Sequence, residues 1–316
     1  MNFKLKYFLR LIRFPNLLMI ALTQVLLEYS LIIPVLKYNN QEIQFTFPYF
    51  ALLVLSTVLI AAGGYIINDY ADVEIDKINK PEKLVIGKHI SLNRALNIYA
   101  FLSLIGIALA LFIALHVQFY VLVFIQVIVA GLLYFYAFNY KSQFLIGNII
   151  IALLAALTIL LPFIYETIAE VKQLSFKYIY FDIAYIYAGF AFLTTLIREI
   201  IKDAEDIEGD QTANCQTLPI VIGINFTKII LTFLLCILLV SITYFQYQLY
   251  LLNQDVYSQV YIILFIQFPI LFLIFKLLKA QAKYEFSFAS LIIKLIMLAG
   301  TLSLPILFIL IYKLSE

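Results

Sequence analysis

The sequence predicts an all-α, polytopic membrane protein, with nine transmembrane helices bundled around a central cavity. Three observations carry the prediction. The 316 residues are 64% hydrophobic and have a mean hydropathy of +1.01, far above a soluble domain. Nine apolar runs are each long enough to cross about 30 Å of hydrocarbon. The charged residues, only 13% of the chain, gather into short segments between those runs. The net charge of +2 says nothing about nucleic acid, and no Lys/Arg block resembles a phosphate-tracking stripe. Two cysteines are too few for a disulfide framework or a thiolate metal centre.

The elements follow in order. Phe3, Tyr7, Phe8, Leu11 and Ile12 share one helical face opposite Lys6, Arg10 and Arg13, the pattern of a helix lying on a membrane surface. This basic start resembles a secretion signal, but it lacks a small-x-small cleavage site and the apolar run continues to Val35. A retained first span is therefore expected. Spans are expected at residues 15–36, 47–67, 95–115, 117–138, 144–165, 179–201, 219–241, 258–278 and 288–312. The seventh has a second possible start near Lys228, which would leave 218–225 in a loop. Residues 1–316 form one expected domain, with no soluble appendage. Lys and Arg alternate in abundance across successive loops, with 16 on the N-terminal side and 4 on the other. That bias predicts a cytoplasmic N-terminus in the cell membrane.

An acidic cassette occurs twice. Asn68-Asp69-Tyr70-Ala71-Asp72-Val73-Glu74-Ile75-Asp76 places aspartates as D-x-x-D-x-x-x-D, and Asp203, Asp206 and Asp210 repeat the spacing 134 residues later. Of 19 acidic residues, 9 lie in the two cassettes, each directly after an apolar run on the same predicted side. On a continuous helix the three aspartates fall within about 60° of one another. Such a face repels itself and sits at the unfavourable end of the helix dipole. One cassette alone would pass as a solvated helix end; two in one register point to a bound cation. An all-oxygen donor set suits Mg²⁺, which bridges carboxylates to substrate phosphates. Lys77, Lys80, Lys83 and Lys88 follow the first cassette, Arg198 and Lys202 adjoin the second, and Lys141 opens the fifth span. Carboxylates, Mg²⁺ and cations above an apolar interior describe a site for a diphosphate carrying a hydrocarbon tail.

With these residues in view, the chain resembles the UbiA superfamily of intramembrane prenyltransferases. The likeness extends through Arg13-Phe14-Pro15-Asn16, Asn79-Lys80-Pro81-Glu82-Lys83, Tyr136, Lys141, Gly147-Asn148 and Thr217-Leu218-Pro219 with Gly223. It implies that Asn68, Asp72, Asp76, Asp206 and Asp210 hold two Mg²⁺ ions on a polyprenyl diphosphate, with Asp69 and Asp203 as supporting ligands. It also implies that Lys83, Lys141, Arg198 and Lys202 neutralise diphosphate or acceptor charge. Tyr136 would face the developing allylic cation with its π-system. The stretch from Arg198 to Asp210 is similar to the branch that transfers geranylgeranyl to a geranylgeranylglycerol phosphate hydroxyl, an ether-forming reaction.

The alternatives are an aromatic acceptor, as in quinone formation, a cation transporter, or a lipid-binding relative without activity. Membrane lipids are expected partners, nucleic acid is not, and no protein partner is evident. The chain departs from the pattern at Lys83-Leu84, Ile86-Gly87 and Cys215, which bears on the acceptor more than on the reaction. Glu28 and Lys294 interrupt apolar spans, and Lys294 is placed to snorkel towards the inner end. Glu166 is expected in a solvated outer loop. His89 and His116 lack any ligand spacing.

Overall fold

The computed structural model describes residues 3–82, 84–171 and 179–315; Lys83 of the sequence expectations lies outside them. Among the described residues, nine helices are long and apolar enough to cross a membrane. The elements are α1 (Phe3–Leu11), α2 (Phe14–Tyr38), α3 (Phe47–Ala71), α4 (Val73–Asn79), α5 (Leu92–Val117), α6 (Val121–Tyr140), α7 (Ile146–Val171), α8 (Ile179–Glu205), α9 (Ile207–Thr212), α10 (Leu218–Ile222), α11 (Ile224–Asn253), α12 (Val256–Lys279) and α13 (Lys283–Ile309). The amphipathic α1 forms as its pattern requires, with Leu11 and Ile12 buried and Lys6 and Arg10 exposed. The seventh span begins at Ile224, after Gly223 (φ 82°), and residues 218–222 form their own short helix rather than a loop.

Helix pairing uses small residues where backbones come close. A Cβ on Gly106 of α5 would lie 2.6 Å from Ile60 of α3, and Ser56 donates to the Gly106 carbonyl at 2.7 Å. Membrane helices associate by such packing because lipid is as apolar as a leucine side chain. Large apolar residues such as Phe101, Leu104, Phe124 and Phe233 point outward, as a lipid solvent permits.

Each cassette departs from the continuous helix its spacing suggests. α3 stops at Ala71 and α4 starts at Val73; α8 stops at Glu205 and α9 starts at Ile207. The middle aspartate is the joint in both, Asp72 at φ −89°, ψ 4° and Asp206 at φ −104°, ψ 12°. Hydrogen bonds between residues four apart still run through each joint, Asp76 N–H to Asp72 O at 2.7 Å and Asp210 N–H to Asp206 O at 3.1 Å. The turn is therefore a bend, and it carries the last aspartate of each cassette on a short second helix. α4 packs on α9, so both bends meet at one end of the bundle.

Glu166 is not a solvated loop residue. It is buried within α7 and accepts backbone N–H bonds from Gln44 and Phe45 at 2.9 and 3.0 Å, closing the loop between α2 and α3 at the opposite end. Glu28, at the start of a π-helical segment in α2, is buried as well.

Candidate functional site

The bundle encloses a cavity of about 620 Å³ whose mouth lies at the two bends. Its depth is lined by Ile20, Ile60, Leu133, Leu154, Leu157 and Leu304, with Thr23, Thr57, Thr158 and Thr301 among them. The threonine hydroxyls are turned inward onto their own helices, as Thr23 onto Met19 O at 2.8 Å and Thr57 onto Leu53 O at 2.9 Å. A chamber with a polar mouth and an apolar body accepts an amphiphile head-up.

The structure gathers the sequence candidates Asn68, Asp69, Asp72, Asp76, Tyr136, Lys141, Arg198, Lys202, Asp203, Asp206 and Asp210 around this one chamber. Lys83 alone among them lies outside the described residues. Lys141 pairs with Asp72, and Lys80 pairs with Asp206. Asn68 Nδ2 donates to Asp72 Oδ2 at 2.9 Å, and Asn148 Nδ2 donates to Asp203 Oδ2 at 2.7 Å. The turn between α6 and α7 sets Lys141. Gly147 lies so close that a Cβ there would be 2.9 Å from Lys141 Cα and 3.1 Å from the Tyr136 ring.

The two bends are clasped by Asn79. Its amide donates to Asp206 O at 3.0 Å and accepts from Gly209 N–H at 2.9 Å, across 130 residues of sequence in the second case. Gly209 permits the approach, because a Cβ there would overlap the Asn79 side chain. Lys283, which opens α13, bonds the Asn79 carbonyl at 2.9 Å.

Electrostatics follow from this crowding. Burial and the Asp72 charge push the Asp76 carboxyl up to about 6. Burial and Asp206 push Asp210 up to about 6, against the lowering pull of Lys141. Burial alone would lower the Lys141 ammonium, yet the Asp72 carboxylate outweighs it and raises the value.

The donor set fits a hard divalent cation. Asn68 Oδ1 and Asp206 Oδ1 are buried acceptors without a hydrogen-bond donor, and such atoms call for one. Among the described residues no three His, Cys, Asp or Glu groups converge tightly enough to cage an ion alone. Mg²⁺ does not need that cage, since it is commonly held by one or two carboxylates, waters and substrate phosphates.

Several site residues escaped the sequence reading. Arg13, in a left-handed conformation (φ 49°) between α1 and α2, bonds Asp69 at 2.6 Å and lies 5.0 Å from the Tyr65 ring centroid. Glu199 receives Arg198 at 3.0 Å and Lys202 at 2.9 Å. Lys294 lines the cavity and donates to Asn16 Oδ1, in the first turn of α2, at 2.7 Å. Arg13 and Asn16 stood in a quoted motif, but nothing in the spacing named their partners. His116 stacks on Tyr49 at 3.7 Å and is bonded to its hydroxyl, a packing role.

This combination defines a polytopic helical membrane protein with an intramembrane chamber, entered between two acidic bends. The model of the UbiA prenyltransferase family matches residues 40–311, and the chain belongs to that family. A digeranylgeranylglyceryl phosphate synthase from Sulfurisphaera tokodaii is 37% identical over 194 residues, covering 60% of this chain and 63% of that protein. The match thus spans just under two thirds of that relative's length.

Two solved structures are similar across nearly the whole chain. One, from work on digeranylgeranylglyceryl phosphate synthase in membranes, is 28% identical with a TM-score of 0.60, covering 96% of this chain and 99% of its own. The other, a UbiA homolog from Archaeoglobus fulgidus bound to GPP and Mg²⁺, has a TM-score of 0.57 at 16% identity, covering 95% and 99%. At that identity the second likeness concerns the fold.

Proposed function

We propose that this protein transfers a geranylgeranyl group from its diphosphate to the free hydroxyl of a geranylgeranylglycerol phosphate, forming a second ether bond. The observation that carries this reading is the joining of two matched aspartate bends, with Lys80 and Lys141 between them, over an apolar chamber. The synthase name borne by the Sulfurisphaera relative supports the acceptor, and the ligands of the Archaeoglobus homolog support the donor and Mg²⁺.

In this reading Asn68, Asp72, Asp76, Asp206 and Asp210 hold Mg²⁺ at the diphosphate, with Asp69 and Asp203 in support. Bound there, Mg²⁺ supplies Lewis-acid stabilisation of the leaving diphosphate. Lys80 and Lys141 add fixed positive charge where negative charge develops, and need little reorganisation to do so. As the carbon–oxygen bond to diphosphate breaks, the Tyr136 ring faces the allylic cation, and the dry chamber keeps water from capturing it. The acceptor hydroxyl oxygen then bonds the allylic carbon, and its proton passes to the released diphosphate. The whole chain acts as one domain in the cell membrane, with N-terminus and active site on the cytoplasmic face.

Membranes containing the protein, supplied with radiolabelled geranylgeranyl diphosphate, should label geranylgeranylglycerol phosphate and not 4-hydroxybenzoate. Excess EDTA should stop the labelling. Label on the aromatic acid alone, or full activity in EDTA, would refute the proposal.

A further inference from the structure

We infer that Lys294, Asn16 and Arg198 form a metal-independent phosphate site on the wall made by α2, α13 and the deeper turns of α8, and that this site takes the phosphate of the acceptor. The inference rests on the prenyl-transfer reading above and assigns a subsite within it.

The argument starts from unmatched charge. Lys294 lies within a membrane span, where an ammonium is costly unless it is paired. Among the described residues its hydrogen bond goes to a neutral amide oxygen, that of Asn16. Arg198, of the same sign, lines the same cavity. Arg198 gives one donor to Glu199 at 3.0 Å, and its Nε–H is buried without an acceptor. Lys202 shares the same Glu199, and Arg13 is matched by Asp69. Among the described residues the ion pairs of these four cations involve two carboxylates, Glu199 and Asp69, while the nearby Asp203 is bonded to Asn148.

The other cations at the mouth are committed elsewhere. Lys80 and Lys141 are held by Asp206 and Asp72, on the bends that would carry Mg²⁺ and the diphosphate. Among the described residues Lys294 forms no ion pair, and its ammonium is held by the Asn16 side-chain oxygen. The free donors of this wall are N–H groups, so an anion binds there without a metal. A wall with more cations than ion-paired carboxylates suits a phosphate monoester, which carries about −1.5 to −2 at neutral pH. A carboxylate brings one negative charge and fewer acceptor oxygens. The wall thus favours a phosphate-bearing acceptor over an aromatic acid, and it leaves the aspartate bends to the diphosphate.

The test uses the purified full-length protein in lipid nanodiscs. In EDTA, calorimetry should find geranylgeranylglycerol phosphate bound at least about tenfold more tightly than the same lipid without its phosphate, the worth of one charge-assisted contact. Lys294→Gln should lose most of that preference and Lys294→Arg should retain it, with thermal unfolding confirming that both variants fold. In steady-state transfer, Lys294→Gln should raise KM for the acceptor about tenfold and leave KM for geranylgeranyl diphosphate within about twofold.

Acceptor binding that requires Mg²⁺, or a rise in the diphosphate KM instead, would overturn the assignment. Normal transfer with an unchanged Lys294→Gln variant defeats this inference alone. Wild-type transfer to an aromatic acid and not to the glycerol phosphate defeats the functional reading and the inference with it.

Discussion

Asp76 and Asp210, on the short helices beyond the bends, are both pushed up to about 6. A cation binds their ionised forms, so protons compete with it. Mg²⁺ affinity, followed by calorimetric titration, should fall between pH 7 and pH 5, roughly tenfold for each proton displaced. The stability of the metal-free protein should move the opposite way. A carboxyl raised on folding holds its proton more tightly in the native state. Its contribution to stability is therefore full below about 3.8 and is lost as pH rises through about 6. A melting temperature that rose from pH 5 to pH 7 in EDTA would contradict this assignment.

At the same scale, Asp72→Ala and Asp206→Ala should each abolish prenyl transfer while the protein still inserts and folds. Each would leave a lysine, Lys141 or Lys80, without its partner. The aspartates were legible in the sequence because a repeated spacing in a charge-poor chain is conspicuous. Glu199 was not, nor was the pairing of Lys80 with Asp206, because these depend on partners that only folding supplies.

The helical elements explain why the cassettes work as a pair. Sequence spacing suggested one ligand face per continuous helix, whereas the structure bends each helix at its middle aspartate and turns the last aspartate onto α4 or α9. The bends are locked by Asn79 against Gly209. Asn79→Ala leaves the buried Gly209 N–H unsatisfied and should cost about 1–3 kcal/mol, read as a lowered melting temperature. Gly209→Ala should cost about 1–3 kcal/mol by overpacking against Asn79. The double variant should cost less than the sum, since removing the amide makes room for the new methyl group. Strict additivity would mean that the two residues do not clasp the bends. Gly147 plays a similar part for Lys141 and Tyr136. The sequence displays such glycines without showing what they accommodate.

For the whole molecule, the bends and α1 lie at one end, as the Arg10 contact with the Glu82 carbonyl shows, and the loop closed by Glu166 lies at the other. The proposed cytoplasmic placement predicts that a cysteine replacing Lys77 reacts with an impermeant thiol reagent only from the cytoplasmic side. A cysteine replacing Glu42 should react only from outside. Both positions are exposed, so accessibility reports sidedness rather than burial. The reverse labelling pattern would invert the topology.

By itself the amino-acid order determined the membrane class, the nine spans and the two acidic cassettes. These depend on local quantities, namely run length, hydropathy and residue spacing, which hydrocarbon as a solvent reads directly. Only the tertiary structure decided that the cassettes bend at Asp72 and Asp206, that Asn79 joins them, and that Lys294 turns into the chamber beside Asn16 and Arg198. It also decided that Glu166 is buried. Each of those outcomes depends on contacts between residues 50 or more positions apart, or on the helix bend those contacts hold, and no pattern along the chain records which partner a buried charge will meet.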